Sequence, residues 1–271
     1  KCRVKLIAGS LETFPSRHIS EEEFTSGWRL SCNCKVLTDC TVFVPDIASA
    51  YQSRMKTADL SSPQEIAIFE DTKAQMLEGG IAFENNFLSV VVEMAEPTLD
   101  DTMPDVERFT WAVQAAVGTE KVEVPFFVMK KLASVLRENN FSVCVKGEKK
   151  GETFLCMDVC APTDTAIVGC AIDIGTTTVT MVFVDLTDGK LLAKGSSGNG
   201  QIRYGADVIN RIIQQSKPGG KQNLQDAIIK ETLNPIIANL CKTAGVSANA
   251  ILRMCVAANT TMNHLFVGVD A

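Results

Sequence analysis

The clearest alternation of hydrophobic and polar positions lies in the last third of the chain. Apolar runs at 167–174 (IVGCAIDI) and 179–186 (VTMVFVDL) predict two strands, and KLLAKGS at 190–196 predicts a third. The polar stretch GTTT separates the first two runs, and Asp-Gly, a frequent hairpin dipeptide, separates the second from the third. We therefore predict an antiparallel meander with a polar tip.

Helical spacing follows the meander. RYGADVINRI at 203–212 predicts the start of an amphipathic helix, with Asp207 near its N-terminus, where a carboxylate favourably meets the helix dipole. Its inward face is expected to hold Val208, Ile209, Ile212 and Ile213. The segment 223–245 predicts a second helix, which breaks near Pro235 and stops at Gly245.

A strand, a polar turn and a helix are predicted for LRMCVAANTTMNHLF at 252–266. Asn259, Thr260 and Thr261 stand at the turn, where N–H groups of the helix start are able to receive an anion. A threonine that only caps the helix would explain the same pattern. His264 lies further along the helix and is expected to be structural, because the two histidines of the chain occur in unrelated contexts.

The middle of the chain has the pattern of an α+β unit. FLSVVVEM at 87–94 predicts a strand, DVERFTWAVQAAVG at 105–118 and VMKKLASVLREN at 128–139 predict helices, and strands follow at 141–145 and 153–159. The inward positions are expected to be Val106, Phe109, Ala112, Val113 and Ala116 in the first helix and Val128, Met129, Leu132, Val135 and Leu136 in the second. This unit carries no obvious chemistry, and we interpret it as a spacer or docking module.

The N-terminal part has shorter elements. RVKLIA at 3–8 and CTVFVP at 40–45 predict strands, which flank a helix start where Ser20 and Glu23 have the spacing of a capping box. The pattern then weakens, with a local helix expected at about 62–78. We interpret this weaker stretch as a linker.

Composition narrows the classes of function. The chain has 271 residues, of which 46% are hydrophobic, enough for about two domains with buried cores. A net charge of -6 without long charged runs argues against nucleic acid or an anionic membrane as the main partner. No apolar stretch predicts a membrane span or a secretory signal, so we expect a cytoplasmic protein. Because Lys1 and Ala271 both interrupt predicted elements, we also expect a fragment.

The tip of the meander carries the clearest candidate chemistry. Asp173 stands near the end of the first strand, and Gly175 allows close backbone approach. Thr176, Thr177 and Thr178 offer N–H and hydroxyl donors, which suit phosphate. A carboxylate beside phosphate favours a divalent cation between them, usually Mg2+. A plain hairpin, with threonines that favour strands and an aspartate that caps the turn, is the alternative.

Two familiar nucleotide motifs are missing. The chain contains no GxxxxGK[ST] sequence. GSSGNG at 195–200 lacks the strand, turn, helix context and the spacing of a dinucleotide loop, so we reject it as one.

Several segments together resemble one protein family. DIGTTTVTMVFVDLTDG resembles the first phosphate loop of the superfamily that contains actin, sugar kinases and heat-shock chaperones. RYGADVINRI and VAANTTMNHLFVGVD resemble the nucleotide domain of the reductive activators of corrinoid-dependent methyltransferases. PTLDDTMPDVERF and VMKKLASVLREN in the middle and SEEEFTSGWRLSC near the N-terminus are similar to the same family. The order of the motifs is more specific than any one of them.

The resemblance implies an α/β and α+β multidomain fold. Residues 1–46 would be the C-terminal part of a β-grasp, 2Fe-2S ferredoxin-like domain, and residues 47–86 a linker. Residues 87–165 would form a small α+β middle domain, and residues 166–271 the N-terminal part of an actin-like ATPase domain of the ribonuclease H-like type. The chain would then hold half of a nucleotide site, so we expect weak or absent ATP hydrolysis by it alone.

The resemblance also implies an iron-sulfur cluster. The separation of Cys2 and Cys32 fits the third and fourth ligands of a plant-type 2Fe-2S ferredoxin, with the other two ligands upstream of Lys1. Cys34 is an alternative to Cys32, and zinc held by Cys2, Cys32, Cys34 and Cys40 is a weaker alternative, because paired C-x2-C spacing is missing. The other cysteines occur singly in apolar segments and are assigned no role: Cys144, Cys156, Cys160, Cys170, Cys241 and Cys255.

The implied function is ATP-dependent reduction of an inactive Co(II) corrinoid to Co(I), with electrons passing through the 2Fe-2S cluster. Asp173 would bind Mg2+ or position water, and the glycine and threonines that follow it would hold phosphate. The loop before the 203–212 helix would border the nucleotide cleft, which makes Arg203 and Asp207 candidates for contact with phosphate or metal. The expected partners are a corrinoid protein and an electron-donor protein, with a homodimer left open. The alternatives are a sugar or acyl kinase-like phosphotransferase and a ferredoxin-type electron carrier with a nucleotide-sensing module.

Overall fold

The computed structural model describes residues 3–14, 19–45, 56–57, 63–81 and 85–271. The chain divides into two compact units, Lys1–Ser53 and Arg54–Ala271. None of the helices within the described ranges is long and apolar enough to cross a membrane.

The smaller unit is built from short strands. Its first sheet has the order β3-β1-β5 and its second pairs β2 with β4, all antiparallel. The strands are β1 (Arg3–Ala8), β2 (Leu11–Thr13), β3 (Trp28–Leu30), β4 (Cys34–Val36) and β5 (Thr41–Phe43). The short helix α1 (Glu21–Thr25) begins at the predicted capping box, in which the Ser20 hydroxyl accepts the Glu23 N–H at 3.2 Å and the Glu23 carboxylate accepts the Ser20 N–H at 3.1 Å.

The larger unit contains a mixed sheet of order β7-β9-β10-β8, in which only β8 and β10 run parallel. The strands are β7 (Phe87–Glu93), β8 (Lys121–Glu123), β9 (Ser142–Lys150) and β10 (Thr153–Cys160), and the helices of this part are α2 (Pro63–Glu78), α3 (Asp105–Val117) and α4 (Phe126–Glu138). Phe109 of α3 and Leu132 and Leu136 of α4 share one core with Phe154 of β10. The predicted α+β character of this region is confirmed, although Ala116 and Met129 are exposed.

The second sheet of the larger unit has the order β14-β11-β12-β13-β6. Its strands are β6 (Lys56–Thr57), β11 (Val168–Ile174), β12 (Thr178–Asp185), β13 (Leu191–Gly198) and β14 (Ile251–Ala258). The three central strands form the predicted antiparallel meander, and β14 lies parallel to β11. Alternate residues of β11 and β12, among them Ile172, Ile174 and Met181, face a buried core.

Four helices follow the meander: α5 (Val208–Gln215), α6 (Gly220–Ile228), α7 (Asn234–Ala244) and α8 (Thr260–Val267). A π-helical turn, Ile229–Leu233, joins α6 to α7 immediately before Pro235, as expected where proline cannot donate to the helical ladder. Gly245 ends α7 in the left-handed conformation with φ 67°. The predicted break and stop are therefore confirmed.

The predicted inward face of α5 was wrong at two of its four residues, Ile209 and Ile213, and right at Val208 and Ile212. Ile209 and Ile213 are 62% and 55% exposed, whereas Arg211 and Gln215 are buried. The inward stripe runs through Val208, Arg211, Ile212 and Gln215, which keeps the helical spacing but is rotated about the helix axis. The rotation has a physical reason, because Arg211 and Gln215 form hydrogen bonds with backbone carbonyl groups beneath the helix.

The two sheets of the larger unit are joined by polar contacts. Arg253 of β14 donates to Glu148 of β9 at 2.5 Å, and its guanidinium lies 5.4 Å from the ring centre of Phe87. Asn85 donates to the carbonyl oxygen of Thr187 at 2.6 Å. The mixed α/β composition predicted from the sequence is thus present, and the domain boundaries stay predictions.

Candidate functional site

The candidate loop is the tight turn between β11 and β12. The Gly175 N–H donates to the carbonyl oxygen of Thr178 at 3.0 Å, which closes the turn around Thr176 and Thr177. A Cβ atom added at Gly175 would lie 2.6 Å from that oxygen. The close approach of the two backbone segments therefore requires glycine, as its place in the predicted phosphate loop suggested.

Three successive carbonyl groups of this loop are held from one side. Asn199 donates its side-chain amide to the Gly175 oxygen and its backbone N–H to the Thr177 oxygen, both at 2.9 Å. Arg211 donates to the Thr176 oxygen at 2.5 Å. Because the C=O and N–H of a trans peptide point in opposite directions, the N–H groups of Thr176 and Thr177 point away from these partners. Neither N–H has a hydrogen-bond partner among the described residues, so both are free to bind an anion.

The second polar junction lies beside this loop. Parallel pairing of β11 with β14 brings the ends of the two strands together, with Ile174 opposite Ala258. Asn259 caps α8, because its side-chain oxygen accepts the Met262 N–H at 2.9 Å, and its amide donates to the Thr176 hydroxyl at 3.4 Å. The cap is thus asparagine rather than the threonine that we considered as an alternative.

Thr260 and Thr261 form the first turn of α8. Their backbone N–H groups belong to the helix start, which carries a partial positive charge. The structure therefore brings all the residues that we predicted for nucleotide binding to one edge of the sheet.

Asp173 is an exposed carboxylate two residues before the loop. It lies opposite Thr180 of β12 and Ala257 of β14, on the face of the sheet opposite to the buried Ile172 and Ile174. Its carboxylate has no hydrogen-bond or ion-pair partner within the described part of the chain. The predicted Mg2+ ligand is therefore available to a cation, with no internal contact that competes.

Asn199, Gln201 and Arg211, which lie beneath the loop, were not predicted from the sequence. Asn199 belongs to the GSSGNG segment that we rejected as a dinucleotide loop, and it is only 1% exposed. Gln201 is also buried, donates to the Leu224 oxygen at 2.9 Å and accepts from Arg211 at 3.3 Å. No sequence signal identified these residues, because their contacts with the loop join positions far apart in the chain.

Arg211 is fully buried without a carboxylate bonded to it among the described residues. Besides Thr176 and Gln201, it donates to the Gly205 oxygen at 2.9 Å and contacts the Met262 sulfur at 3.2 Å. Burial lowers the pKa of its guanidinium to about 10, while the nearby charge of Asp207 acts in the opposite direction. The base of the loop therefore carries a positive charge in a desolvated position.

Arg203 and Asp207, the other two candidates for contact with nucleotide, have partners within the protein. Arg203 forms a paired contact with Glu231, with both distances 2.5 Å, and this bond raises the pKa of the arginine. Asp207 caps α5, because its side chain accepts the Asn210 N–H at 2.9 Å, and it therefore lies at the helix N-terminus as predicted. Contact of either residue with phosphate or metal stays a prediction. His264 contacts the carbonyl oxygen of Asp270 at 2.8 Å, as fits a structural residue.

The predicted cluster ligands fall largely outside the described atoms. Cys2 lies outside the described residues, and Cys32 occupies the turn Ser31–Asn33 with its side chain also outside them. Cys34 lies in β4, where its thiol donates to the Leu30 oxygen at 3.1 Å. Among the described residues, no group of three or more His, Cys, Asp or Glu side chains is arranged to hold a metal ion. The assignment of the cluster ligands therefore stays a prediction.

Comparison with known proteins identifies the family. The model of the RACo linker region matches residues 77–158, and the model of the RACo middle region matches residues 168–271. The corrinoid activation enzyme RamQ of Eubacterium limosum is 41% identical over 105 residues, which cover 38% of this chain and 18% of RamQ.

A solved structure, described as a reductive activator for corrinoid, iron-sulfur protein, is similar over 99% of this chain and 42% of its own, with 29% identity and a TM-score of 0.55. The chain thus spans less than half the length of these relatives. The two family models match adjoining parts of the chain, and both similar proteins are corrinoid activators. The chain belongs to the family of reductive activators of corrinoid proteins.

Proposed function

We propose that the chain is part of an ATP-dependent activator that returns an inactive Co(II) corrinoid, bound to a partner protein, to Co(I). The observation that carries this proposal is the pair of free N–H groups at Thr176 and Thr177 beside the α8 start. The strand order β13-β12-β11-β14, with β14 parallel to β11, supports the actin-like, ribonuclease H-like domain that the sequence resemblance implies.

The loop would bind the phosphates of ATP. Phosphate oxygens would accept from the outward N–H groups of Thr176 and Thr177, while Asn199 and Arg211 hold the loop from beneath. Asp173 would bind Mg2+, directly or through water, because a bare carboxylate close to phosphate would repel it. Asn259 would align the α8 start with the loop through its contact with Thr176.

The redox half of the proposal rests on the N-terminal cysteines. A 2Fe-2S cluster would supply one-electron transfer, with Cys2 and Cys32 among its ligands. The backbone hydrogen bond of the Cys34 thiol favours Cys32 over Cys34 as the ligand, because Cys34 is already engaged within the sheet. An electron-donor protein would reduce the cluster, and the corrinoid protein would be the acceptor.

ATP would act through differential affinity. A nucleotide shifts an equilibrium only if it binds one state more tightly than the other, so the ATP-bound and ATP-free forms must differ in affinity for the corrinoid protein. The contact of Arg253 with Glu148 joins the sheet of the proposed nucleotide site to the β7-β9-β10-β8 sheet and would be one connection between them. We also propose a cytoplasmic location, since the described cysteines are free thiols, as expected in a reducing compartment.

The test is the reduction of a corrinoid protein by the full-length activator. The change from Co(II) to Co(I) is followed by absorbance under anaerobic conditions with a low-potential donor, with and without MgATP. We expect reduction only with MgATP, and we expect Asp173→Asn to give little reduction even when MgATP is present. Equal reduction without nucleotide would contradict the proposal and favour the simple electron carrier. Transfer of the γ-phosphate to a small molecule would favour the kinase-like alternative.

A further inference from the structure

A group of reactive side chains lies in the β7-β9-β10-β8 sheet, in the region to which the sequence analysis assigned no chemistry. The antiparallel register of β9 and β10 places Cys144 directly opposite Cys160. The hydroxyl of Ser89, on the neighbouring strand β7, lies 3.2 Å from the Cys144 sulfur. We call Ser89, Cys144, Lys146, Cys160 and Asp164 the thiol cluster.

The register suits a bond between the two sulfurs. Residues directly opposite each other in an antiparallel ladder have Cα atoms roughly 4.5 to 5.5 Å apart. Disulfides span Cα separations of about 4.4 to 6.8 Å, so the backbone already meets their requirement. The Cys160 sulfur lies 3.7 Å from the carbonyl oxygen of Cys144. Cys144 is fully buried and Cys160 is partly exposed, so solvent reaches the pair from the side of Cys160.

A buried cation lies next to the pair. Lys146 is two residues from Cys144 on β9 and therefore on the same face of the sheet. Its side chain is 0% exposed, and its ammonium group contacts the Asp164 carboxylate at 2.9 Å. A positive charge beside a thiol favours the thiolate, which is the reactive form in disulfide exchange.

The ionisation of Cys144 differs from that of other buried cysteines. Contact with the Cys160 side chain lowers the pKa of Cys144. Ser89 and the charge of Lys146 act in the same direction, while burial and the charge of Asp164 act against them. Burial raises the pKa of Cys156 and that of Cys170 to about 12. The paired arrangement thus separates Cys144 from ordinary core cysteines.

We propose that Cys144 and Cys160 form a reversible cross-strand disulfide by exchange with a low-molecular-weight disulfide such as glutathione disulfide. The Cys144 thiolate takes the proton of Cys160, and the partly exposed Cys160 sulfur attacks one sulfur of the small disulfide, so that a mixed disulfide forms and one small thiolate leaves. That thiolate takes the proton from Cys144, and the Cys144 sulfur attacks the Cys160 sulfur. The second small thiolate then leaves. Two protein thiols are oxidised, and the small disulfide is reduced to one thiol and one thiolate.

The disulfide would alter contacts at the base of the nucleotide-binding sheet. In the reduced form, the Cys160 thiol donates to the carbonyl oxygen of Asp164 at 3.2 Å. A disulfide has no S–H donor, so oxidation removes this hydrogen bond. Asp164 lies in the segment that leads from β10 into β11, the strand that carries Asp173. Oxidation of the thiol cluster would therefore change a contact in the segment that leads into the strand before the candidate loop.

The test is direct mapping of the bond. The full protein, purified without oxygen, is incubated with glutathione disulfide or with a reducing thiol, quenched in acid, denatured, alkylated and digested. We expect a peptide that links Cys144 to Cys160, together with loss of alkylation at both, only after glutathione disulfide. Cys170 and Cys241 belong to one hydrophobic core elsewhere in the same unit and serve as the internal control. Both should stay fully alkylated.

Single variants separate the two steps. Cys144→Ala, at the buried position, should stop at a stable mixed disulfide between glutathione and the partly exposed Cys160. Reduction with a thiol should then release the glutathione and restore alkylation of Cys160. The proposal is overturned if native protein forms no linked peptide, or if a link between Cys170 and Cys241 forms as quickly as one between Cys144 and Cys160.

Discussion

The Arg211 guanidinium donates to the carbonyl oxygen of Thr176 at 2.5 Å, and this bond ties a fully buried cation to the turn between β11 and β12. Burial of a charge without a bonded carboxylate is unfavourable unless hydrogen bonds satisfy it, and Arg211 obtains them from Thr176, Gly205 and Gln201. The same contacts orient the loop so that its free N–H groups face outward. An anion bound there would also interact favourably with the buried charge.

Replacement of Arg211 is expected to weaken nucleotide binding. Arg211→Met keeps much of the side-chain volume but removes the donors and the charge, so affinity for MgADP should fall roughly tenfold to a hundredfold. Arg211→Lys should be intermediate, because it keeps the charge and cannot serve all three acceptors. Calorimetric titration measures the affinity, and a thermal unfolding curve checks that each variant is folded.

The matched control for this prediction is Arg137→Met. Arg137 forms an ion pair with Asp105 between α4 and α3, in the other sheet of the larger unit. It should leave MgADP affinity unchanged. A folded Arg211→Met protein with the affinity of the unmodified protein would show that the loop needs no support from this residue.

Asn199 is expected to contribute to stability as well as to binding. Asn199→Ala removes the donor to Gly175 and the acceptor of the Gln201 N–H, and it leaves these buried backbone groups without those partners. We expect the free energy of unfolding to fall by about 1 to 3 kcal/mol, measured by urea denaturation. Asn139→Ala, which removes a donor to the Val135 oxygen in α4, should leave nucleotide affinity unaltered. Equal nucleotide affinity in Asn199→Ala and in unmodified protein would contradict the assigned role.

The effect of Asp173→Asn on ATP affinity should have opposite signs with and without Mg2+. Without Mg2+ the carboxylate repels the nucleotide phosphates, so the variant should bind ATP more tightly than unmodified protein does. With Mg2+ the unmodified protein gains a cation ligand that the variant lacks, so the order should reverse. The exposed Asp188 at the other hairpin, which accepts the Lys190 N–H at 2.8 Å, provides the control Asp188→Asn. The same order of affinities with and without Mg2+ would contradict a metal role for Asp173.

The pH dependence of alkylation tests the thiol cluster. Because contact with Cys160 lowers the pKa of Cys144, the pair should keep a thiolate at pH values where an isolated cysteine is protonated, so its alkylation should persist as pH falls. Mass spectrometry after brief exposure of native protein to iodoacetamide measures this profile. In Cys160→Ala the midpoint should move upward, since the main stabilising contact of the thiolate is gone. An unmoved midpoint would mean that Cys160 does not set the ionisation of Cys144.

Local sequence patterns predicted the elements that depend on neighbouring residues. The capping box at Ser20 and the hairpin around Gly189 each need only a few adjacent positions, and both are present. The break before Pro235 likewise follows from one residue that lacks an N–H. Caps, hairpin turns and proline breaks can be predicted because their physical cause lies within one segment of the sequence.

The support of the candidate loop could not be predicted in this way. Asn199 reaches Gly175 across 24 positions, and Arg211 reaches Thr176 across 35. The burial of Arg211 leaves Ile209 and Ile213 of α5 exposed, which reverses the usual expectation for isoleucine. Only the packing of α5 beneath the loop decides which stripe is buried.

The most direct test of the account is whether nucleotide protects the outward N–H groups of the loop. Amide hydrogen exchange is measured residue by residue by NMR, with and without a non-hydrolysable MgATP analogue. We expect protection at Thr176 and Thr177 and at the α8 start after Asn259, with no change at the Asp188-Gly189 tip of the same meander. If the two threonine amides exchange at the same rate with saturating nucleotide as without it, the loop is not the phosphate site.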